Sequence, residues 1–229
     1  MITYTTPDVK AQPDELKRFI EANKYKLEAP GSLTGKELNT THKDWEEIKT
    51  RILMCMPVEY SAGINNLGVA IMYELFNEYE DMLCERAYMP EPRLYKLLQT
   101  NNLPVMFSLE SKHEAKDFDM IGFSLYFELQ FNNLVSMLHY SGIPIYSQER
   151  GFEYPLVVMG GVASYSPSPV EEFVDAVLIG DGEAQTDDLV AMLREYRTGK
   201  YKTKDAFLLD LTNKVKGCYV PRFYEMVYE

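Results

Sequence analysis

The segment YPLVVMGGVASYSPSPVEEFVDAVLIGDGE (154–183) decides the fold. It holds two uninterrupted apolar runs, PLVVM and AVLI, and each is halted by glycine: Gly160–Gly161 after the first, Gly180 and Gly182 after the second. A strand with one wet face alternates polar and apolar residues. A strand covered on both faces reads as a continuous apolar run, the habit of parallel sheets. Between the runs SPVEEFVDA (168–176) reads as a short helix, and AQTDDLVAMLREYRTG (184–199) as a longer one closed by Gly199.

Working outward, FDMIGFSLYF (118–127) and RILMCMP (51–57) have the same buried-strand character, and CERAYMP (84–90) is a weaker strand. VEYSAGINNLG (58–68) is a loop running into a helix, VAIMYELFNEYE (69–80), with apolar residues at 69, 71, 72, 75, 76 and 79. PRLYKLLQTNN (92–102) and ELQFNNLVSMLHYSG (128–142) are helical, the second stopped by Gly142, and PVMFSL (104–109) is a short strand or turn. DELKRFIEANKYKLE (14–28) forms a short amphipathic helix, KDAFLLDLTNKV (204–215) a late helix, and GCYVPRFYEMVYE (217–229) an extended tail. Strands alternating with helices predict an α/β fold: a doubly wound, Rossmann-like (flavodoxin-like), mostly parallel sheet of about five strands with helices on both faces. Strands 51–57, 119–125, 155–160 and 176–180 should be adjacent and parallel, with 84–89 at or near an edge. Residues 1–50 read as an extension with a short helix, 51–200 as the Rossmann-like domain, and 201–229 as a C-terminal helix and linker.

Composition bounds the function. Of 229 residues 46% are hydrophobic and 25% charged, enough to build a sizeable core. Lys and Arg number 23 against 35 Asp and Glu, a net charge of −12, which argues against generic DNA binding. Three scattered cysteines, Cys55, Cys84 and Cys218, make no disulfide framework and suit a reducing compartment. No apolar run reaches membrane-spanning length and the start lacks the apolar centre of a signal peptide, so the expected location is cytoplasmic.

In open α/β sheets ligands bind beyond the carboxyl ends of the strands, where the strand order reverses. Those ends supply the candidate site: Tyr60, Ser61 and Gly63 after the first strand; Ser124, Tyr126 and Glu128 after FDMIGFS; Gly160, Gly161 and Ser164; and Gly180, Asp181, Gly182 and Glu183. Small residues there let a ligand approach the backbone. Each has a plainer reading. Ser164, Tyr165 and Ser166 are also turn residues ahead of Pro167, Glu128 also suits a helix N-terminus, and Asp181 and Glu183 also cap the following helix. GSLTGKE (31–37) is not a phosphate loop: its glycines are too close, Glu37 stands where a hydroxyl should follow the lysine, and no apolar strand precedes it. Gly180–Asp181–Gly182 closes a late strand and lacks a third glycine, so it is no dinucleotide fingerprint. His42, His113 and His139 lie far apart, and no metal-ligand spacing or nucleophile–base pair is visible. His139 reads as a helix-end histidine and Cys55 as plain core.

The segments GKELNTTHKDW (35–45), RILMCMP, EYSAGINNLGVAIMYELFN (59–77), CERAYMP, FSLESK (107–112), FDMIGFSLYFEL (118–129), SGIPIYSQER (141–150), VVMGGVASYSPSPVEEFVDAVLIGDGE (157–183) and YVPRFYE (219–225) occur in this order. Together they resemble the N-terminal cobalamin-binding-like domain of an uncharacterised family of B12-binding radical SAM proteins, over residues 35–229. The resemblance implies a module that holds a corrinoid at the carboxyl edge of its sheet and faces a radical SAM domain, in cis or in trans. That partner domain would carry the [4Fe–4S] cluster and S-adenosylmethionine on a C-x-x-x-C-x-x-C motif that these 229 residues lack. The loop PVEYSAGINNLG has neither the Asp nor the His of the D-x-H-x-x-G motif, so it offers cobalt no lower axial histidine. Two other readings stand beside it: a degenerate, ligand-free scaffold for protein or RNA docking, and a flavodoxin-like domain binding a flavin or nucleotide.

Overall fold

The computed structural model describes residues 11–27, 30–225 and 227. In chain order, helix α1 (Pro13–Asn23) precedes strand β1 (Thr50–Met56), the one-turn helix α2 (Tyr60–Gly63), α3 (Leu67–Asn77), β2 (Met82–Tyr88), α4 (Pro92–Thr100), β3 (Met120–Ser124), α5 (Phe131–Tyr140), β4 (Leu156–Gly160), β5 (Ala176–Leu178), α6 (Gly182–Leu193), α7 (Lys204–Lys214) and β6 (Cys218–Tyr219). The sheet order is β2-β1-β3-β4-β5-β6. The first five strands are parallel, and β6 runs antiparallel to β5. The order reverses between β1 and β3, the flavodoxin-like switch point. The expected neighbours pair as read, with β2 at one edge.

The strands alternate their side chains between two cores. Ile52, Met54, Met120, Leu156, Val158 and Ala176 face a layer formed with Val69, Tyr73 and Phe76 of α3, Leu189 and Leu193 of α6, and Phe207, Leu208 and Leu211 of α7. Leu53, Cys55, Ile121, Phe123, Val157, Met159 and Val177 face the other, closed by Phe131, Leu134, Met137 and Leu138 of α5. Both faces are dry, which is why these strands carry no polar alternation. A satellite cluster joins Leu16 and Ile20 of α1 to Leu94 and Leu98 of α4.

Several elements differ from the sequence expectation. The tail pairs as a sixth strand, because Cys218 and Tyr219 meet Leu178 and Val177. SPVEEFVDA yields only a 3-10 turn, Glu171–Phe173, since Pro167 and Pro169 leave too few residues to propagate a helix. The helix expected to reach Gly199 ends at Leu193, and Arg197 and Gly199 then take positive φ of 62° and 81°. Residues 128–130 wind as a 3-10 turn ahead of α5, and Gly142 closes α5 at φ 67° as expected. Glu28, at the end of the first expected helix, lies outside the described residues.

The segment before β1 is clasped to the core. Lys43 Nζ donates to three carbonyls, Asn77 O at 2.8 Å, Tyr79 O at 2.6 Å and Met82 O at 2.6 Å, and the Thr41 amide donates to the Tyr73 hydroxyl at 2.8 Å. Trp45 stacks face to face on His113, ring centroids 3.5 Å apart, with the Arg51 guanidinium on the indole. Burial, then the Lys17 and Arg51 charges, push the His113 pKa down to about 4. At the amino end of β5, buried Asp175 meets Lys204 at 3.0 Å, Arg150 at 3.4 Å and Arg222 at 3.5 Å.

Candidate functional site

At the carboxyl ends of the central strands a cleft of about 420 Å³ opens between α3 and α6. Its origin is legible in the strand register. Met54, Gly122, Val158 and Ala176 lie in one row across β1, β3, β4 and β5, and Ser124 pairs with Gly160 in the row above. Over Gly122 the Met54 thioether fills the space, its sulfur 3.0 Å from where a Cβ would stand, whereas at Gly160 nothing lies nearer than 3.9 Å, so the opening sits at the upper row. The volume lies in the range of small-molecule sites. Met54, Met120, Val158, Leu178, Phe76 and Leu189 make the wall largely apolar.

Of the residues chosen from the sequence, Ser124, Gly160, Gly161, Gly180, Asp181, Gly182 and Glu183 line this cleft. The two glycines of β4 do different things. A Cβ on Gly160 would meet nothing nearer than Leu178 O at 3.9 Å, so this position faces open space. A Cβ on Gly161 would stand 2.3 Å from Leu125 O, and its φ is 90°; only glycine fits, and the demand comes from the backbone of the neighbouring strand. Asp181 is the N-cap residue of α6 by position, yet its side chain makes no capping bond, and Glu183 occupies the first turn.

The others fall outside the cleft. Tyr60 and Ser61 line a separate hollow of about 60 Å³ toward β2. The Tyr60 hydroxyl donates to Glu37 at 2.6 Å, and Glu37 pairs with Arg86 at 3.2 Å. Burial works to raise the Glu37 carboxyl, but the Tyr60 hydroxyl, a backbone amide and Arg86 outweigh it and hold it below its ordinary value. Gly63 is a packing glycine: a Cβ there would be 2.9 Å from the Met56 side chain and the Tyr88 ring. Tyr126 and Glu128 are exposed at the end of β3, where Gln130 Oε1 accepts the Tyr126 amide at 2.8 Å. Ser164 is buried within the 3-10 turn Val162–Tyr165, its hydroxyl without a partner.

Sequence reasoning passed over Met54, Met72, Gly122, Val158, Gln185 and Leu189, all of which line the cleft. Most look like ordinary core. Gly122 did carry a signal, since a lone glycine inside a buried strand marks a place where something approaches closely. So did Gln185, a polar residue on a helix's buried side.

Exposed apolar residues lie within the lining or close to it in sequence: Val162 and Tyr165 within it, Leu67 beside Gly68, and Tyr126 and Leu129 shortly after Ser124. The described residues contain no group of three or more His, Cys, Asp or Glu able to hold a metal ion. Cys84 and Cys218 lie in one core layer and Cys55 in the other, all buried, an arrangement that does not fit an iron–sulfur cluster. No helix among the described residues is long and apolar enough to cross a membrane.

The model of a known family, the N-terminal region of radical SAM proteins, matches residues 68–221. The match covers well over half of the chain and takes in β2 to β6 and the whole of α6, so the chain belongs to this radical SAM N-terminal family. No curated protein matches it.

Proposed function

We propose that this chain is the corrinoid-holding module of a B12-dependent radical SAM protein. The observation that carries the reading is the cleft itself: a lined opening of about 420 Å³ at the carboxyl ends of β3, β4 and β5, in a chain of the radical SAM N-terminal family. The residues suit such a group. Gly160 leaves the backbone open to a flat macrocycle, Leu67, Val162 and Tyr165 offer it an apolar surface at the mouth, and the cleft below has room for the base-bearing tail. None of the three histidines lines the cleft. A methylated corrinoid supplies the methyl group that such enzymes pass to a substrate radical. The chain's own work is to bind it, orient it and exclude water behind it. The [4Fe–4S] cluster and S-adenosylmethionine belong to the radical SAM domain that this module would serve.

The exposed side chains of Leu67, Tyr126, Leu129, Val162 and Tyr165 also favour a second reading, a ligand-free scaffold that docks a partner by this rim. A flavin or nucleotide suits the cleft less well. No Lys, Arg or His is among the described residues that line it, while Asp181 and Glu183 stand at its mouth, an unfavourable setting for a terminal phosphate. The discriminating experiment is to mix the protein with hydroxocobalamin, desalt, and record the visible spectrum. Retention of the corrinoid bands near one equivalent supports the module; a colourless protein favours the scaffold.

A further inference from the structure

Gln185 lies in the first turns of α6, is 5% exposed and lines the cleft. Its amide can be oriented in only one way, because Nε2 donates to two carbonyls, Ile179 O at 3.0 Å and Lys216 O at 2.8 Å. Oε1 must then point elsewhere, and it is buried without a donor. A buried carbonyl oxygen left unpaired costs about 1–3 kcal/mol.

Of the other polar side chains in the lining, Asp181 and Glu183 only accept, and the hydroxyls of Ser124 and Tyr165 can accept as well as donate. The cleft therefore asks its occupant for donors. Oε1 is sealed from the cleft, so an occupant reaches it only when the wall shifts, and that wall holds methionines. A Cβ at Gly182, one turn before Gln185, would stand 2.7 Å from the Met72 sulfur, and Met54 and Met120 complete the adaptable part of the wall.

Resting on the corrinoid reading above, we propose that the cleft selects the lower base of the corrinoid, favouring a base with an exocyclic N–H donor, such as adenine, over dimethylbenzimidazole, with Gln185 Oε1 as the acceptor. Both bases are flat heteroaromatics that suit an apolar slot. Glycosylated dimethylbenzimidazole keeps one ring nitrogen as an acceptor and has no N–H, whereas adenine keeps an amino group with two.

The test compares the affinities of three corrinoids for the intact chain by spectral titration: the adenine-bearing cobamide, dimethylbenzimidazolyl cobamide, and cobinamide, which has no base. The adenine form should bind about tenfold more tightly than the dimethylbenzimidazole form, the worth of one hydrogen bond to an otherwise unpaired acceptor. Gln185→Met should bring that ratio to about one and leave cobinamide binding unchanged. Gln185→Lys keeps donors for Ile179 O and Lys216 O, removes the acceptor, and should do the same if the methionine variant folds poorly. Equal binding of the two cobamides by the wild type, or a preference for dimethylbenzimidazole, overturns the proposal. A preference that survives both variants overturns the role of Gln185. If cobinamide and both cobamides all fail to bind, the corrinoid reading itself falls and this one with it.

Discussion

Gly160→Val should close the cleft and spare the sheet. Gly160 ends β4 with ordinary φ, and the nearest heavy atom to an added Cβ is 3.9 Å away. A β-branched residue suits a strand, and glycine's entropic cost of about 0.5–1 kcal/mol is relieved. The variant should therefore melt within a few degrees of the wild type, with unchanged circular dichroism. The added methyl groups point into the space that a bound tail or ring needs. Overlap of this kind costs about 1–3 kcal/mol, a five- to 150-fold loss of affinity in a hydroxocobalamin titration. The neighbouring change is the control. Gly161→Val places a Cβ 2.3 Å from Leu125 O at a φ of 90°, so it should destabilise the fold by more than about 3 kcal/mol. A Gly160→Val protein that binds corrinoid as well as the wild type would refute this placement of the site.

Three further outcomes test the frame around it. Folded His113 stays neutral down to about pH 4, while an unfolded histidine takes its proton near pH 6.5. The unfolded chain thus binds more protons in that window, and stability, full above pH 6.5, should fall by about 1–2 kcal/mol toward pH 4 after allowing for solvent at this half-buried ring; urea melts of His113→Phe should lose this share of the pH dependence while keeping the stack on Trp45. Lys43→Met strips a charged donor from Asn77 O, Tyr79 O and Met82 O and should cost about 2–3 kcal/mol in denaturant, since three charge-assisted bonds are lost together, although Tyr79 O keeps the Met82 amide at 3.3 Å. Asp175→Asn leaves Arg150 and Lys204 buried without a counter-charge and should cost about 3–5 kcal/mol, measured in the same way; a loss under 1 kcal/mol would show that the cluster does not depend on the carboxylate.

The parallel sheet was readable from sequence because both of its faces are buried: runs such as LVVM and ILMCM have no polar face to misplace. The sixth strand was not, because two paired residues, Cys218 and Tyr219, leave no pattern, and their pairing is decided by β5 alone. The site was half readable. Glycines at strand ends announce themselves, and those of β4 and β5 do line the cleft. Tyr60, Ser61 and Gly63 follow a strand end just as closely, yet α2 turns them toward β2, where Glu37 holds Tyr60 and Gly63 packs on Tyr88. That direction depends on a partner some twenty residues upstream, outside the reach of local reading. The cleft's floor was invisible for a different reason: Met54, Met120 and Val158 are core residues by every sequence criterion, and only the tertiary packing shows that they line an opening.

The central claim is that a corrinoid occupies this cleft, and methionines report on it from within. Met54, Met72 and Met120 line it, whereas Met106 and Met137 lie in the opposite core layer. A titration of methyl-labelled methionine protein with hydroxocobalamin, followed by nuclear magnetic resonance, tests the claim directly. The account predicts that the methyl signals of Met54, Met72 and Met120 shift and saturate together near one equivalent, while those of Met106 and Met137 stay in place. Shifts confined to Met106 and Met137, or no shift at all, would contradict it.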